Sequence, residues 1–287
     1  MKIQKNISLK EFTTYKVGGR ADFFTIAKNE NDIKNAIDFS KNENIPFVVL
    51  GNGSNIIIND KGFRGFVIKN ELKYHKIEKN KIICGSGLML AQLISIAHKN
   101  NLTGLWFLSG IPGTIGGAIY QNAGTGDQWI SGVLESVKVL NVKGETADIK
   151  IGEVKFGYRT STFQKKKDII IEAVFILKRE GMDQERLKIK EIKTKRLSQP
   201  KGFSAGSVFK NPYKKSAGEL IEKCGIKGKR IGGAEISTTH ANFIINRGTA
   251  TASDILSLIE KAEKEVKNKF GVQLEKEVGI LGERGFK

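Results

Sequence analysis

Apolar positions fall into two rhythms along the chain, and the two predict different elements. Where they recur every three to four residues they mark helices. Ile33, Ala36 and Ile37 share one face after a capping Asn31, and Leu90, Leu93, Ile94 and Ala97 do so within Leu88 to Lys99. The strongest case is Ile255, Leu258, Ile259, Ala262 and Val266, a stripe that stops at Gly271. A shorter helix is announced by the capping box Ser216 to Glu219 and closes near Cys224-Gly225. Compact β-branched runs predict strands at Pro46 to Leu50, Ile56 to Ile58, Val133 to Leu140 and Ile169 to Leu177. Thr13 to Phe24 reads as a turn into a strand, its Gly18-Gly19 pair marking a bend or a close approach. Val272 to Ile280 reads as a closing strand. Val272, Leu274, Val278 and Ile280 take one side, with Lys276 the exception, and Gln273, Glu275, Glu277 and Gly279 take the other. Lys178 to Arg196 is dense in charge, with Leu187, Ile189 and Ile192 as sparse apolar positions, and predicts an exposed helix joining two domains.

Two stretches break both rhythms. Gly104 to Gly126 holds seven glycines and no charged residue. Glycine admits φ > 0 and leaves N–H groups uncovered, so such a loop can cradle a phosphate or simply pack tightly. A membrane span is disfavoured, because Pro112 and the paired glycines cut the apolar runs far below the roughly 18 residues a crossing needs. The second stretch, Gly51-Asn-Gly-Ser-Asn55, lies between two predicted strands, as a hairpin turn or a ligand loop. It is not a dinucleotide fingerprint of the Rossmann kind, since Ile56-Ile-Ile58 follows where a helix would have to open.

The length of 287 residues suggests two domains. A net charge of +18 suits an anionic partner, yet lysine is spread nearly throughout and no RNA- or DNA-reading motif accompanies it. Cys84 and Cys224 form no C-x-x-C pair, and His75, His98 and His240 show no ligand spacing, so neither a disulfide framework nor a metal site is expected. Without the apolar core of a signal peptide at its start, the chain is expected in the cytoplasm.

Seven motifs then occur in one order: Val49-Leu-Gly-Asn-Gly-Ser-Asn-Ile, Gly110-Ile-Pro-Gly-Thr-Ile-Gly-Gly, Gln121-Asn-Ala-Gly, Gly157-Tyr-Arg-Thr-Ser-Thr-Phe, Ser204-Ala-Gly-Ser-Val-Phe-Lys-Asn-Pro, His240-Ala-Asn-Phe and Leu274-Glu-Lys-Glu-Val. Together they resemble the UDP-N-acetylenolpyruvoylglucosamine reductase family, the flavoenzymes of peptidoglycan precursor synthesis called MurB, over nearly the whole chain. The resemblance implies an α+β fold: an FAD-binding domain of the vanillyl-alcohol-oxidase/PCMH type over 1–178 in two lobes, roughly 1–65 and 66–178. A helical linker at 179–200 and a smaller α+β substrate domain at 201–287 follow, the last strand returning Glu277 to the active site. It implies a UDP-N-acetylmuramate dehydrogenase with non-covalent FAD and NADPH as hydride donor. The product of UDP-N-acetylglucosamine enolpyruvate would be UDP-N-acetylmuramate, made by a monomer that needs neither nucleic acid nor membrane. By carry-over, Ser207 is the proton donor, Arg159 holds the substrate carboxylate, and Glu277 is the catalytic glutamate. Gly51, Asn52, Gly53, Ser54, Asn55, Ser109, Ile111, Pro112, Gly113, Thr114, Gly116, Gly117, Asn122, Ala123 and Gly124 are the cofactor candidates. Tyr158, Lys210, Asn211, His240 and Asn242 are those for substrate. The short run from Asn211 to Ser216 resembles the shorter class of the family, which lacks a substrate-capping tyrosine loop. Arg20 where proline is common and Gly279 where arginine is common depart from the pattern. The alternative on the same fold is another FAD-dependent oxidase or dehydrogenase.

Overall fold

The computed structural model describes residues 1–166 and 168–286. The first sheet gathers β1 (Gln4–Ser8), β2 (Arg20–Ala27), β3 (Phe47–Leu50) and, past β4 (Ile56–Ile58), β5 (Phe63–Asn70), in the order β1-β2-β5-β3. The helix α1 (Glu30–Asn42) connects β2 to β3, both of which run parallel to β5. It buries Ile33, Ala36 and Ile37 against Phe66 and Ile68, as the spacing requires. Its cap is Asn29 and not the expected Asn31: Asn29 Oδ1 accepts the Asp32 N–H at 2.9 Å. β5 runs across residue 65, the rough division expected between the two lobes.

The second sheet is antiparallel throughout. It contains β6 (His75–Glu78), β7 (Lys81–Gly85), β10 (Leu134–Leu140), β11 (Thr146–Lys150) and β14 (Ile169–Ile176), ordered β11-β10-β14-β7-β6, the short hairpins β8/β9 (Gly124–Thr125, Gln128–Trp129) and β12/β13 (Phe156–Gly157, Thr160–Ser161) lying outside it. The helices α2 (Leu90–Lys99) and α3 (Ile115–Tyr120) bury Leu93, Ala97, Ile115 and Ile119 with Phe107, Val137 and Phe175. The glycine stretch is thus a 3-10 turn at Trp106–Leu108, a loop and a one-turn-and-a-half helix. No helix among the described residues is long and apolar enough to cross a membrane.

The helix α4 (Met182–Leu197) is less free than a solvated linker. Ile189 and Ile192 are buried, whereas Leu187, expected beside them, is 61% exposed. Glu185 is also buried, and its carboxylate accepts the N–H groups of Gly104 and Leu105 and meets His98 Nε2 at 3.2 Å. The charged run therefore docks onto the start of the glycine stretch through a buried carboxylate, a partner that charge density in the sequence hides.

Beyond it, α5 (Ala217–Lys223), β15 (Arg230–Ile231), β16 (Ala234–Ile236), β17 (Ile244–Asn246) and α6 (Ala252–Phe270) enclose a separate core of Leu220, Ile221, Ile236, Ile244, Ile255, Leu258 and Ile259. Ser216 caps α5, and Gly271 ends α6 at φ +66°. Asp60 reaches from the first lobe to cap α6, accepting the N–H groups of Ala252 (2.7 Å) and Ser253 (2.8 Å).

The closing strand differs from expectation. Residues 272–278 form no regular strand, and the ladder is confined to β18 (Gly279–Gly282), which turns into β19 (Gly285–Phe286). β18 pairs parallel with β4 in the register Gly279 to Ile56. The side alternation read from sequence holds only in part, because the backbone of 275–277 is bonded to a loop: Lys210 N–H donates to Glu275 O and Glu277 N–H to Val208 O, both at 2.8 Å. Gly279, the departure from the usual arginine, joins this seam, its N–H donating to Asn55 O at 3.0 Å.

Candidate active site

The two glycine-rich loops meet. β3 and β4 belong to different sheets, so Gly51 to Asn55 is a crossing between them and not a hairpin turn. A Cβ on Gly51 would lie 2.6 Å from Thr114 Oγ1, and Ser54 Oγ–H donates to Pro112 O at 2.8 Å. Gly53, at φ +63°, has Phe12 O where a Cβ would stand, 2.1 Å away, so only glycine fits. Among the described residues the backbone N–H groups of Gly51 to Asn55, Gly113 and Thr114 donate no hydrogen bond. A seam of uncommitted donors with no side chain between them suits the pyrophosphate of a dinucleotide, so the residues present fit FAD. The side chains are less available than expected: Asn55 Nδ2–H donates to Glu277 O at 3.1 Å, leaving Asn52 as the uncommitted one. Lys69 was not foreseen. Its amine, half-buried and with a pKa pushed down by desolvation, donates to Gly51 O at the back of the loop.

Ser109 is buried and Ile111 follows it in the loop before α3; within α3 the Gly116 N–H donates to Ser86 O at 2.8 Å and Thr114 Oγ1 accepts the Gly117 N–H at 3.4 Å. Asn122, Ala123 and Gly124 are buried just past α3. The Asn122 side chain is a brace: Nδ2–H donates to Gly157 O at 3.0 Å and Oδ1 accepts the Ser131 N–H at 3.4 Å. Through that brace the loop fixes the Gly157-Tyr-Arg turn.

Arg159 sits in that turn at φ +56°, a left-handed conformation that costs an ordinary residue of order 1 kcal/mol. The turn sends its guanidinium against the Trp129–Tyr158 ring pair, 5.7 and 5.6 Å from their centroids. Nη1–H donates to Gly124 O at 3.3 Å. Nε lies 2.8 Å from Glu277 Oε1, yet its buried N–H is not aimed along that line, so the contact is an ion pair with a donor to spare. Burial pushes the Glu277 carboxyl above its ordinary value, against the pull of Arg159 and then of Lys210. Ser207 is half-buried in the loop just before Val208, the residue whose carbonyl takes the Glu277 N–H. Glu277 is thereby tied to Arg159 by an ion pair and, through its N–H, to Val208, the residue after Ser207.

The substrate candidates divide. Tyr158 spans the two domains, its hydroxyl accepting the Asn211 N–H at 3.4 Å. Lys210 pairs with the exposed Glu275, whereas Glu277 pairs with Arg159. Asn211 Oδ1 accepts the Ala217 N–H, so this side chain helps start α5. His240 Nδ1 accepts the Asn242 N–H at 3.2 Å, and partial desolvation pushes its pKa down. Asn242 is corrected: it is buried, and its amide is used up on the Phe209 backbone, accepting N–H at 2.9 Å and donating to O at 2.8 Å. Arg196 was missed altogether. From the last turn of α4 its side chain crosses Gly110, where a Cβ would lie 2.4 Å from Arg196 Cδ, and its Nε is buried without a partner. Desolvation and then the nearby charge of Arg159 lower its pKa. In the sequence it is one more cation in a charged run.

Comparison with known proteins fits this geometry. Residues 199–281 match the family model described as UDP-N-acetylenolpyruvoylglucosamine reductase, C-terminal domain, and residues 21–150 match an FAD binding domain. The reductase of that name from Desulforamulus reducens is 42% identical, covering 98% of this chain and 94% of its own. The chain belongs to the UDP-N-acetylenolpyruvoylglucosamine reductase family. The counterpart from Clostridium tetani is 43% identical over 98% of this chain and 92% of its own. The crystal structure of the Thermus caldophilus MurB superposes with a TM-score of 0.86 at 34% identity, covering 98% of this chain and 99% of that one. The expected α+β flavin-binding fold and the class of FAD-dependent oxidoreductase are both borne out. Among the described residues no group of three or more His, Cys, Asp and Glu could hold a metal ion.

Proposed function

We propose that this MurB-family reductase converts UDP-N-acetylglucosamine enolpyruvate to UDP-N-acetylmuramate in the cytoplasm, with NADPH as reductant and Ser207 as the proton donor. The observation that carries the reading is the Arg159–Glu277 ion pair, tied by the Glu277 N–H to the loop that carries Ser207, beside a seam of free backbone donors. When bound, FAD would supply the hydride chemistry between NADPH and the enolpyruvyl double bond. Gly51 to Asn55, Gly113 and Thr114, whose N–H groups are uncommitted, would hold the cofactor's pyrophosphate.

Hydride addition to the methylene carbon leaves an electron pair on the adjacent carbon, delocalised into the substrate carboxylate. Arg159 meets that charge with the guanidinium edge left free by its imperfect pairing to Glu277. Glu277 holds Arg159 in place through their ion pair. Ser207 Oγ–H gives its proton to the carbon, completing addition of H⁻ and H⁺ across the double bond. The resulting alkoxide is regained as hydroxyl from solvent. A serine hydroxyl is a weak acid, so surrounding positive charge matters. Lys210 is committed to Glu275, whereas Arg196 brings a cation whose buried Nε has no hydrogen-bond partner among the described residues. Tyr158 lines the same cleft.

The test is spectroscopic. NADPH bleaches the bound flavin, and the enolpyruvyl ether restores its colour. Ser207→Ala leaves bleaching intact and slows restoration by about 10²- to 10⁴-fold, the usual worth of a positioned acid. Equal loss in both half-reactions sinks Ser207 as donor, and restoration by unrelated oxidants alone favours another flavin oxidase or dehydrogenase.

A further inference from the structure

Hydrogen bonds alone leave the Arg159 guanidinium loosely held. Among the described residues it donates one, to Gly124 O at 3.3 Å, and its ion pair with Glu277 leaves the buried Nε–H unaimed. The backbone beneath it stands in the left-handed region at φ +56°. What remains to fix the plane of the guanidinium is aromatic. Its Cζ lies 5.7 Å from the Trp129 centroid and 5.6 Å from that of Tyr158, inside the roughly 6 Å over which a ring face attracts a cation.

Trp129 is the member of this ring pair that the fold does not otherwise need. It is half-buried, yet it packs against none of the four apolar cores. Its ring meets Tyr158, edge-on at 5.8 Å and 81°, and Arg159. Tyr158, by contrast, adjoins Arg159 in the chain and spends its hydroxyl on the Asn211 N–H. Trp129 arrives on the β8/β9 hairpin, whose two arms are joined over several residues: Gly124 pairs with Trp129, Ile130 N–H donates to Ala123 O at 2.8 Å, and Asn122 Oδ1 accepts the Ser131 N–H at 3.4 Å. A Cβ on Gly124 would lie 2.9 Å from Trp129 Cα, so the arms approach as closely as only glycine allows. Gly124 thus serves Arg159 twice. Its carbonyl accepts the Nη1–H, and its ladder partner lays an indole against the guanidinium.

We propose that Trp129 is a positioning residue for Arg159: its ring face fixes the plane of the guanidinium and keeps water from it, so that the free edge is presented to the charge developing on the substrate carboxylate. The proposal rests on Arg159 holding that carboxylate. Tryptophan offers a cation the strongest of the aromatic faces, and the attraction grows as the cation is desolvated, which the buried Nε of Arg159 is. A guanidinium that swings off the ring is no longer preorganised for charge that appears only during reaction. The loss therefore falls on the step that reduces the substrate and not on bleaching of the flavin by NADPH.

The experiment follows both half-reactions in the holoenzyme with Trp129→Leu, Trp129→Phe, Arg159→Met and the double variant of Trp129→Leu with Arg159→Met. Trp129→Leu keeps apolar bulk and loses the ring. It is expected to bleach with NADPH at the wild-type rate and to reoxidise with the enolpyruvyl ether about 5- to 30-fold more slowly. Trp129→Phe, which keeps a weaker ring face, recovers part of that loss, and both variants melt close to wild type. In the Arg159→Met background, Trp129→Leu slows reoxidation no further. Wild-type reoxidation in Trp129→Leu overturns the proposal, as do equal losses in the two Trp129 variants or a full Trp129→Leu effect that persists without Arg159. A parallel fall in both half-reactions with a lower thermal midpoint overturns it too, marking a merely structural tryptophan. If Arg159→Met reoxidises normally, the carboxylate reading fails and takes this proposal with it; if only Trp129→Leu does, the Arg159 reading stands alone.

Discussion

Gly117→Ala separates the two physical readings of the glycine stretch, because it should move stability and cofactor binding in opposite directions. Gly117 is the third residue of α3, exposed, with its N–H on Thr114 Oγ1. An added Cβ would meet Thr114 Oγ1 at 3.6 Å, an ordinary contact, and nothing else closer than 4 Å. For the apoprotein the exchange is therefore an unstrained helical Gly→Ala, worth about 0.5–1 kcal/mol in its favour. That corresponds to a rise of about 1–3 °C in the thermal midpoint for a chain of this size. The same methyl projects from the wall beside the free donors of Gly113 and Thr114, where FAD would lie against the backbone. Crowding a close-packed contact by one methyl costs about 1–3 kcal/mol, or roughly 5- to 150-fold in FAD affinity. Fluorescence titration of apoprotein with FAD reads the affinity, and thermal melts of the apoprotein read the stability. Gly53→Ala is the control: with φ +63° and Phe12 O at 2.1 Å from the new Cβ, it lowers both. A Gly117→Ala protein that melts higher yet binds FAD as tightly as wild type would refute the cofactor wall at α3.

Asp60→Ala removes the cap that the first lobe places on α6, and urea unfolding should lose about 1–2 kcal/mol; an unchanged midpoint would count against the cap. Hydrogen bonds from Arg247 and then Arg230 hold the Glu235 carboxyl below its ordinary range despite its burial. A depressed folded-state pKa stabilises above the ordinary glutamate value of about 4.3 and ceases to as pH falls through the folded value. Glu235→Gln should thus weaken the protein at neutral pH and flatten its acid limb, and an unaltered acid limb would refute this. Glu277 has the opposite sign: its pKa is raised, so stability present below the ordinary value is lost as pH rises through the folded one. Glu277→Gln should abolish that limb in thermal melts taken upward in pH from the ordinary glutamate value of about 4.3; its survival in the variant would assign the limb to another group.

Legibility followed the range of the forces involved. α2, α5 and α6 could be read because their spacing and caps are local, and the two glycine loops because their chemistry lies within a few residues. The closing strand was misplaced because its partner, Ile56 to Ile58, lies more than 200 residues upstream, and alternation alone cannot say which part of an extended segment finds a ladder. Glu185 and Arg196 escaped for another reason. Each sits in a run whose charge suggests solvent, and only the folded chain shows Glu185 under Gly104 and Arg196 over Gly110. Asparagines were the opposite trap, since Asn55, Asn122 and Asn242 look like ligands yet spend their amides on the backbone.

The parallel ladder between β4 and β18 has a kinetic meaning as well as a structural one. Long-range parallel pairing closes a very large loop before it gains any contact energy, which makes it a late and slow event in folding. Because Glu277 hangs from that seam through Asn55 and Gly279, the first lobe can assemble its sheet early and still lack a completed catalytic cleft. A chain released before residue 279 would be a half-built enzyme with β4 as an unpaired, wholly apolar edge, the kind of surface on which aggregation starts and chaperones act.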